Sequence, residues 1–209
     1  WGQATLSRDG SSTSTDNQTV YAYYDYGQIQ TLTDSKTNSV AGGVITVTTS
    51  YAYDQIGRTT SSTQDGTTIQ YEYDKAGNIT LLSQPTEGDS TTEDTTYEYN
   101  GYGQLEYVYQ NSELIREYNY LTTGQTNTMV DYLKFDESNT TQTMTTSYQY
   151  TALGQVEEIK YVNDNTSATM EKYTYTYDKR GNILTEYIYN TYGGTTSLTK
   201  SYVYNSMNM

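Results

Sequence analysis

The chain has 209 residues, a formal net charge of −14 and only 33% hydrophobic residues; it carries 27 Tyr but one Phe, one Trp and one Pro, and neither Cys nor His. Acidity without clustered Lys and Arg excludes nucleic acid and anionic lipid as partners. The missing Cys and His remove disulfides, thiolate metal sites, the commonest general base and the commonest zinc ligand.

No apolar run is long enough for membrane insertion, and the N-terminus carries no signal-peptide pattern. Disordered chains of similar polarity are poor in aromatic and β-branched residues, whereas this one is rich in Tyr and Thr. Both favour a pleated, half-buried surface, so the composition predicts an all-β protein.

Along the chain, WGQATL comes first, its Gly2-Gln3 matching the end of a motif whose complete copies follow. The pattern Y-x-Y-x-x-x-G then occurs seven times: YAYYDYG from Tyr21, YAYDQIG from Tyr51, YEYDKAG from Tyr71, YEYNGYG from Tyr97, YNYLTTG from Tyr118, YQYTALG from Tyr148 and YTYDKRG from Tyr175. An eighth, YVYNSMN from Tyr202, has Asn208 in place of Gly, and Asn is the residue that best tolerates the left-handed region after Gly. Residues 1 and 209 both fall within repeats, so the chain reads as 1–209 of a single array, incomplete at both ends and cut from a longer polypeptide.

The second Tyr recurs at intervals of 30, 20, 26, 21, 30, 27 and 27 residues. A constant signature on variable spacing marks a rigid turn with its flanking strand, the variation lying in loops. The two Tyr of a copy share a strand face. Asp54, Asp74 and Asp178 cap the turn through backbone N–H groups, and Gly supplies a positive φ at the reversal. The residue after Gly is Gln or Asn, or Arg58 once. Two after Gly comes Ile29, Ile79, Leu105, Val156 or Ile183, with Thr59 and Thr126 elsewhere.

Asp65-Gly66, Asn111-Ser112, Asn163 to Ser167 and Tyr192-Gly193-Gly194 turn the chain at the opposite ends. Each repeat thus contributes two antiparallel strands, roughly sixteen in all, of about eight to ten residues. The expected architecture is one continuous curved layer of β-hairpins with polar residues on one face. On the other, each Tyr ring is expected to stack on those of neighbouring repeats.

The signature, most fully in YDQIGRTTSSTQDGTTIQYEYDKAGNIT, resembles the tyrosine–aspartate (YD) repeat of Rhs and teneurin-like proteins, and the resemblance covers essentially the whole chain. It implies a spiral β-sheet that winds into a hollow shell. In bacterial members, which include Rhs proteins, wall-associated polymorphic toxins and Tc toxin components, that shell encloses a C-terminal toxic domain. In teneurins a related shell is part of an adhesion receptor.

The bacterial self-cleavage region, which contains Pro and Asp, has no counterpart here; the one Pro is Pro85, in SQPTEGD. Tyr24, Leu121 and Thr151 stand where the family most often has Asp, and altered turns are expected there.

The resemblance implies a non-catalytic structural scaffold, one wall segment of a secreted or cell-surface protein. Its partners are the rest of the parent polypeptide and the enclosed toxin or effector domain. Lack of Cys points to a bacterial rather than an animal source. A second reading is an adhesin whose exposed Tyr rows bind glycans, and a third is edge-to-edge self-association through unpaired strands.

No catalytic, cofactor-binding or metal-binding residue is assigned. No turn Asp lies in an EF-hand frame, and no segment breaks the repeat to build a carboxylate cleft. Asn-x-Thr/Ser triplets at Asn17, Asn78, Asn139 and Asn165 are those expected by chance in so Thr- and Asn-rich a chain.

Overall fold

The computed structural model describes residues 6–8, 18–37, 43–86, 91–134, 141–191 and 194–205. Gly2-Gln3, Asn17, Asn139, Tyr192-Gly193 and Asn208 lie outside them.

Every regular element is a strand. The first eight are β1 (Leu6–Arg8), β2 (Gln18–Tyr23), β3 (Ile29–Thr37), β4 (Val44–Tyr53), β5 (Thr59–Gln64), β6 (Thr67–Tyr73), β7 (Ile79–Pro85) and β8 (Thr92–Tyr99). The others are β9 (Leu105–Gln110), β10 (Glu113–Tyr120), β11 (Thr126–Lys134), β12 (Thr141–Tyr150), β13 (Val156–Asn163), β14 (Ala168–Tyr177), β15 (Ile183–Asn190) and β16 (Thr196–Ser201). Strands β1 to β8, and likewise β9 to β16, lie in chain order without a crossover. Apart from β1 the strands run from six to ten residues, so several are shorter than the expected eight.

The chain divides into two compact units, Trp1–Thr96 and Tyr97–Met209. The first consists of hairpins through β7 and the start of β8. Its turn at Asp65-Gly66 has φ of 50° and 81°, the left-handed pair that a two-residue hairpin requires. The second unit repeats the construction from the end of β8 to β16. Asn111 and Ser112 there adopt φ of 48° and 68°, closing β9 on β10 in the same way.

Neither unit has a thick core. Among the described residues only Val108, Ser35 and Thr146 are buried, and no side chain is fully enclosed. The paired Tyr are half-buried, and in β2, β6, β8, β10, β12 and β14 the residue between them is exposed. That alternation is the one-sided pattern expected of a single layer.

Candidate functional site

What recurs in both units is the turn that follows each Tyr pair. The residue after the second Tyr (24, 54, 74, 100, 121, 151 or 178) donates its N–H to the carbonyl of the residue after Gly, at 2.8–2.9 Å. The Gly N–H donates back to the carbonyl of that first residue at 2.8–3.2 Å. All seven Gly have φ between 77° and 98°, so each stands at a chain reversal.

The turns at Tyr24, Leu121 and Thr151 keep both backbone bonds, so the altered turns expected there do not occur. The left-handed Gly closes the turn, and the Asp is an addition to it.

Past the turn the returning strand bulges. The pairing shifts register immediately before the second Tyr in six hairpins, as between Ala22 and Tyr23 or Gln149 and Tyr150. The shift sets the second Tyr directly opposite the residue two after Gly: Tyr23 with Ile29, Tyr73 with Ile79, Tyr150 with Val156 and Tyr177 with Ile183. Directly paired residues share a sheet face, so the aliphatic residue and the phenol lie on the same side of the sheet.

The expected ring ladder takes another form. Rings stack within a pair, Tyr21 on Tyr23 at 6.3 Å and Tyr118 on Tyr120 at 6.5 Å. From repeat to repeat the recurring link is a phenol hydroxyl donating to a backbone carbonyl. Tyr53 donates to Ile29 at 2.9 Å, Tyr73 to Thr59 at 2.7 Å, Tyr120 to Leu105 at 2.6 Å, Tyr150 to Thr126 at 2.8 Å and Tyr177 to Val156 at 2.5 Å.

Strand spacing explains this. Successive Tyr-bearing strands are two strands apart, about 10 Å, which is beyond ring stacking but within reach of a tyrosine's length. Because the acceptor is backbone, Thr59 and Thr126 serve as well as the aliphatic residues at equivalent places. Burial pushes the Tyr53, Tyr120, Tyr150 and Tyr177 phenols up from their usual range, with neighbouring phenols adding to the shift at Tyr53.

A second set of links runs from the residue after Gly. Gln28, Gln104, Gln125 and Gln155 each donate Nε2 to the carbonyl of the next repeat's Gly: Gly57 at 2.7 Å, Gly124 at 2.9 Å, Gly154 at 3.0 Å and Gly181 at 3.3 Å. Asn78 and Asn182 instead turn back, Nδ2 donating to Asp74 Oδ2 at 2.8 Å and Asp178 Oδ2 at 2.9 Å.

Arg58 does both. Its Nε lies 2.6 Å from Asp54 Oδ2, its Nη1 donates to the Asp74 carbonyl at 2.9 Å, and its guanidinium sits 4.5 Å from the centre of the Tyr73 ring.

The carboxylates cap their own turns. Asp54 Oδ1 accepts the N–H of Ile56 and Arg58, and Asp178 Oδ1 those of Arg180 and Asn182. These bonds favour the charged form. Asp54 is held below the ordinary carboxylate range chiefly by the Arg58 N–H, and Asp74 and Asp178 chiefly by the Asn78 and Asn182 side chains. Asn100 occupies the same place neutrally and accepts from Tyr102 and Gln104 at 3.0 and 3.1 Å.

Glutamine straps were not foreseen from sequence, although a signal exists. Wherever Asp follows the Tyr pair, Asn or Arg follows Gly; wherever it does not, Gln does, at Gln28, Gln104, Gln125 and Gln155.

Hollows lie on the second unit. One of 630 Å³ between the turns at Asn100 and Leu121 is lined by Tyr102, Gln104, Glu106 and Tyr118. Another of 470 Å³ contains Val108, Leu114 and Leu133, flanked by the ion pairs Arg116–Asp131 and Lys134–Glu113. The charged groups of this second hollow are engaged with one another, an arrangement suited to holding strands in register.

No protein-family model matches the chain, and no curated protein matches it. Solved structures do. Chains in the crystal structures of TcdB2–TccC3–TEV and of TcdB2–TccC3 without its hypervariable C-terminal region superpose with TM-scores of 0.70 and 0.72 at 17% and 18% identity, over 91% and 90% of this chain. TcdB2–TccC3–Cdc42 matches over 90% with a TM-score of 0.53 at 14% identity. The fold is that of part of these TcdB2–TccC3 chains.

The chain spans 11–12% of the solved chains' length. At the level of fold, the comparison agrees with the resemblance drawn from the Tyr-and-Gly signature.

Proposed function

We propose that this chain is a non-catalytic wall segment of an Rhs/YD-type shell that encloses a toxin or effector domain of a larger secreted or cell-surface bacterial protein. One observation carries this reading: within each unit, successive hairpins are fastened by phenol-to-carbonyl bonds that repeat with the motif, joined at four turns by Gln-to-carbonyl bonds. Such a sheet extends by adding identical units and needs no thick core, which suits a wall. The acidic balance keeps a large surface soluble.

Protease protection in the complete parent polypeptide tests the role. Encapsulation predicts that a domain outside the repeat array resists digestion until the array is unfolded. Digestion at the rate of that domain alone would refute it.

A further inference from the structure

The turn after the first Tyr pair is built unlike the others. Tyr24 replaces the capping Asp and Tyr26 precedes Gly27. Their rings stack with centroids 5.0 Å apart and planes within 9°. Pairs on regular strands lie wider, 6.2–6.5 Å for Tyr21–Tyr23, Tyr107–Tyr109 and Tyr118–Tyr120, as the rise per residue of a strand dictates.

Tyr24 is anchored. Its hydroxyl donates to the Tyr51 carbonyl at 3.0 Å, and its ring meets Tyr53 edge-on at 6.2 Å. Tyr26 is 66% exposed, open to a solvent oxidant and able to move against its fixed neighbour.

We propose that Tyr24 and Tyr26 form an oxidative coupling site, where hydrogen peroxide acting through a haem peroxidase installs a dityrosine bridge. Each phenol gives up one electron and its O–H proton, leaving two tyrosyl radicals. A carbon–carbon bond forms between their ortho positions, and loss of the two ring protons with return of protons to the phenol oxygens restores both aromatic rings. In balance, two tyrosines and one peroxide give one dityrosine and two waters. The chain has no Cys, so no thiol intercepts the oxidant. The bridge would lock the tip of this turn, and its formation does not depend on the shell reading.

The experiment treats the dilute protein with peroxide and a haem peroxidase, then maps the products by mass spectrometry and dityrosine fluorescence. The expected product is the monomer lighter by two hydrogens, with both lost from the one peptide that contains Tyr24 and Tyr26. Tyr26→Phe, an exposed change that leaves the Tyr24 anchor in place, is expected to abolish that loss, whereas Tyr120→Phe in a strand pair leaves it unchanged. Tyr102, 92% exposed and without a stacked ring among the described residues, controls for accessibility alone. Bridges that form only between chains or only in other peptides, or that survive Tyr26→Phe in the peptide, would overturn the proposal.

Discussion

The turns at Asp54, Asp74 and Asp178 and those at Tyr24, Leu121 and Thr151 share one backbone but use their side chains oppositely. In the first group the carboxylate gathers local N–H groups, and Asn78 or Asn182 is spent satisfying its second oxygen. In the second no carboxylate calls for a donor, and Gln28, Gln125 or Gln155 crosses to the next Gly carbonyl. Gln is one methylene longer than Asn and can make the crossing. Asn100 with Gln104 stands between, the amide accepting from Asn100 Nδ2 while its own Nε2 reaches Gly124. The lesson is that closing a turn and tying turns together are separable tasks in this repeat.

The largest expected effect comes where the tasks collide. A Cβ on Gly57 would lie 2.8 Å from Gln28 Nε2, while one on Gly77 would meet nothing within 4 Å, at nearly the same φ. Gly77→Ala should cost about 1–2 kcal/mol for the left-handed backbone alone. Gly57→Ala should lower the urea midpoint further, and Gln28→Ala should remove the excess. Equal midpoints for the two Gly variants would show that the strap does not press on that turn.

Next come the phenol links. Tyr150→Phe keeps the ring but leaves the Thr126 carbonyl without its donor, an expected loss of roughly 0.5–1.5 kcal/mol by urea unfolding. Tyr73→Phe should lose a similar amount, since this rung is common to both kinds of turn.

Acid should separate the two kinds. The depressed pKa values of Asp54, Asp74 and Asp178 mean that their contribution is fully present above the unfolded value, about 3.9. It is lost as pH falls through the folded values. In an NMR titration the N–H signals of Arg58, Asn78 and Asn182 should shift below about pH 4 while those of Gln125 and Gln155 hold still; parallel movement would erase the distinction.

The smallest effect is expected from Gln155→Asn, too short to reach the Gly181 carbonyl. Local hydrogen-exchange protection around Gly181 should fall with little change in the global midpoint. Unchanged exchange would mean that this 3.3 Å contact holds nothing.

Much of this was legible in the sequence because it is local. Tyr71 and Tyr73 with Gly77, or Asp65-Gly66, state strand, face and reversal within a few residues. The rungs were not, because they join residues such as Tyr177 and Val156 or Gln125 and Gly154, 21 and 29 positions apart. Periodicity says that Tyr rows align but not that two-strand spacing separates their rings. At Tyr24, Leu121 and Thr151 the departure from Asp suggests an altered turn, yet the left-handed Gly that the sequence also shows closes each one.

The central claim is that hairpins in this coreless sheet are joined by phenol hydroxyls bound to backbone carbonyls. Replacing Tyr53, Tyr73, Tyr120, Tyr150 and Tyr177 together by Phe tests it most directly, because every ring stays and only the hydroxyls go. The account predicts a loss near the sum of five separated bonds, about 2.5–7.5 kcal/mol in urea unfolding. A five-fold variant as stable as the parent would contradict it.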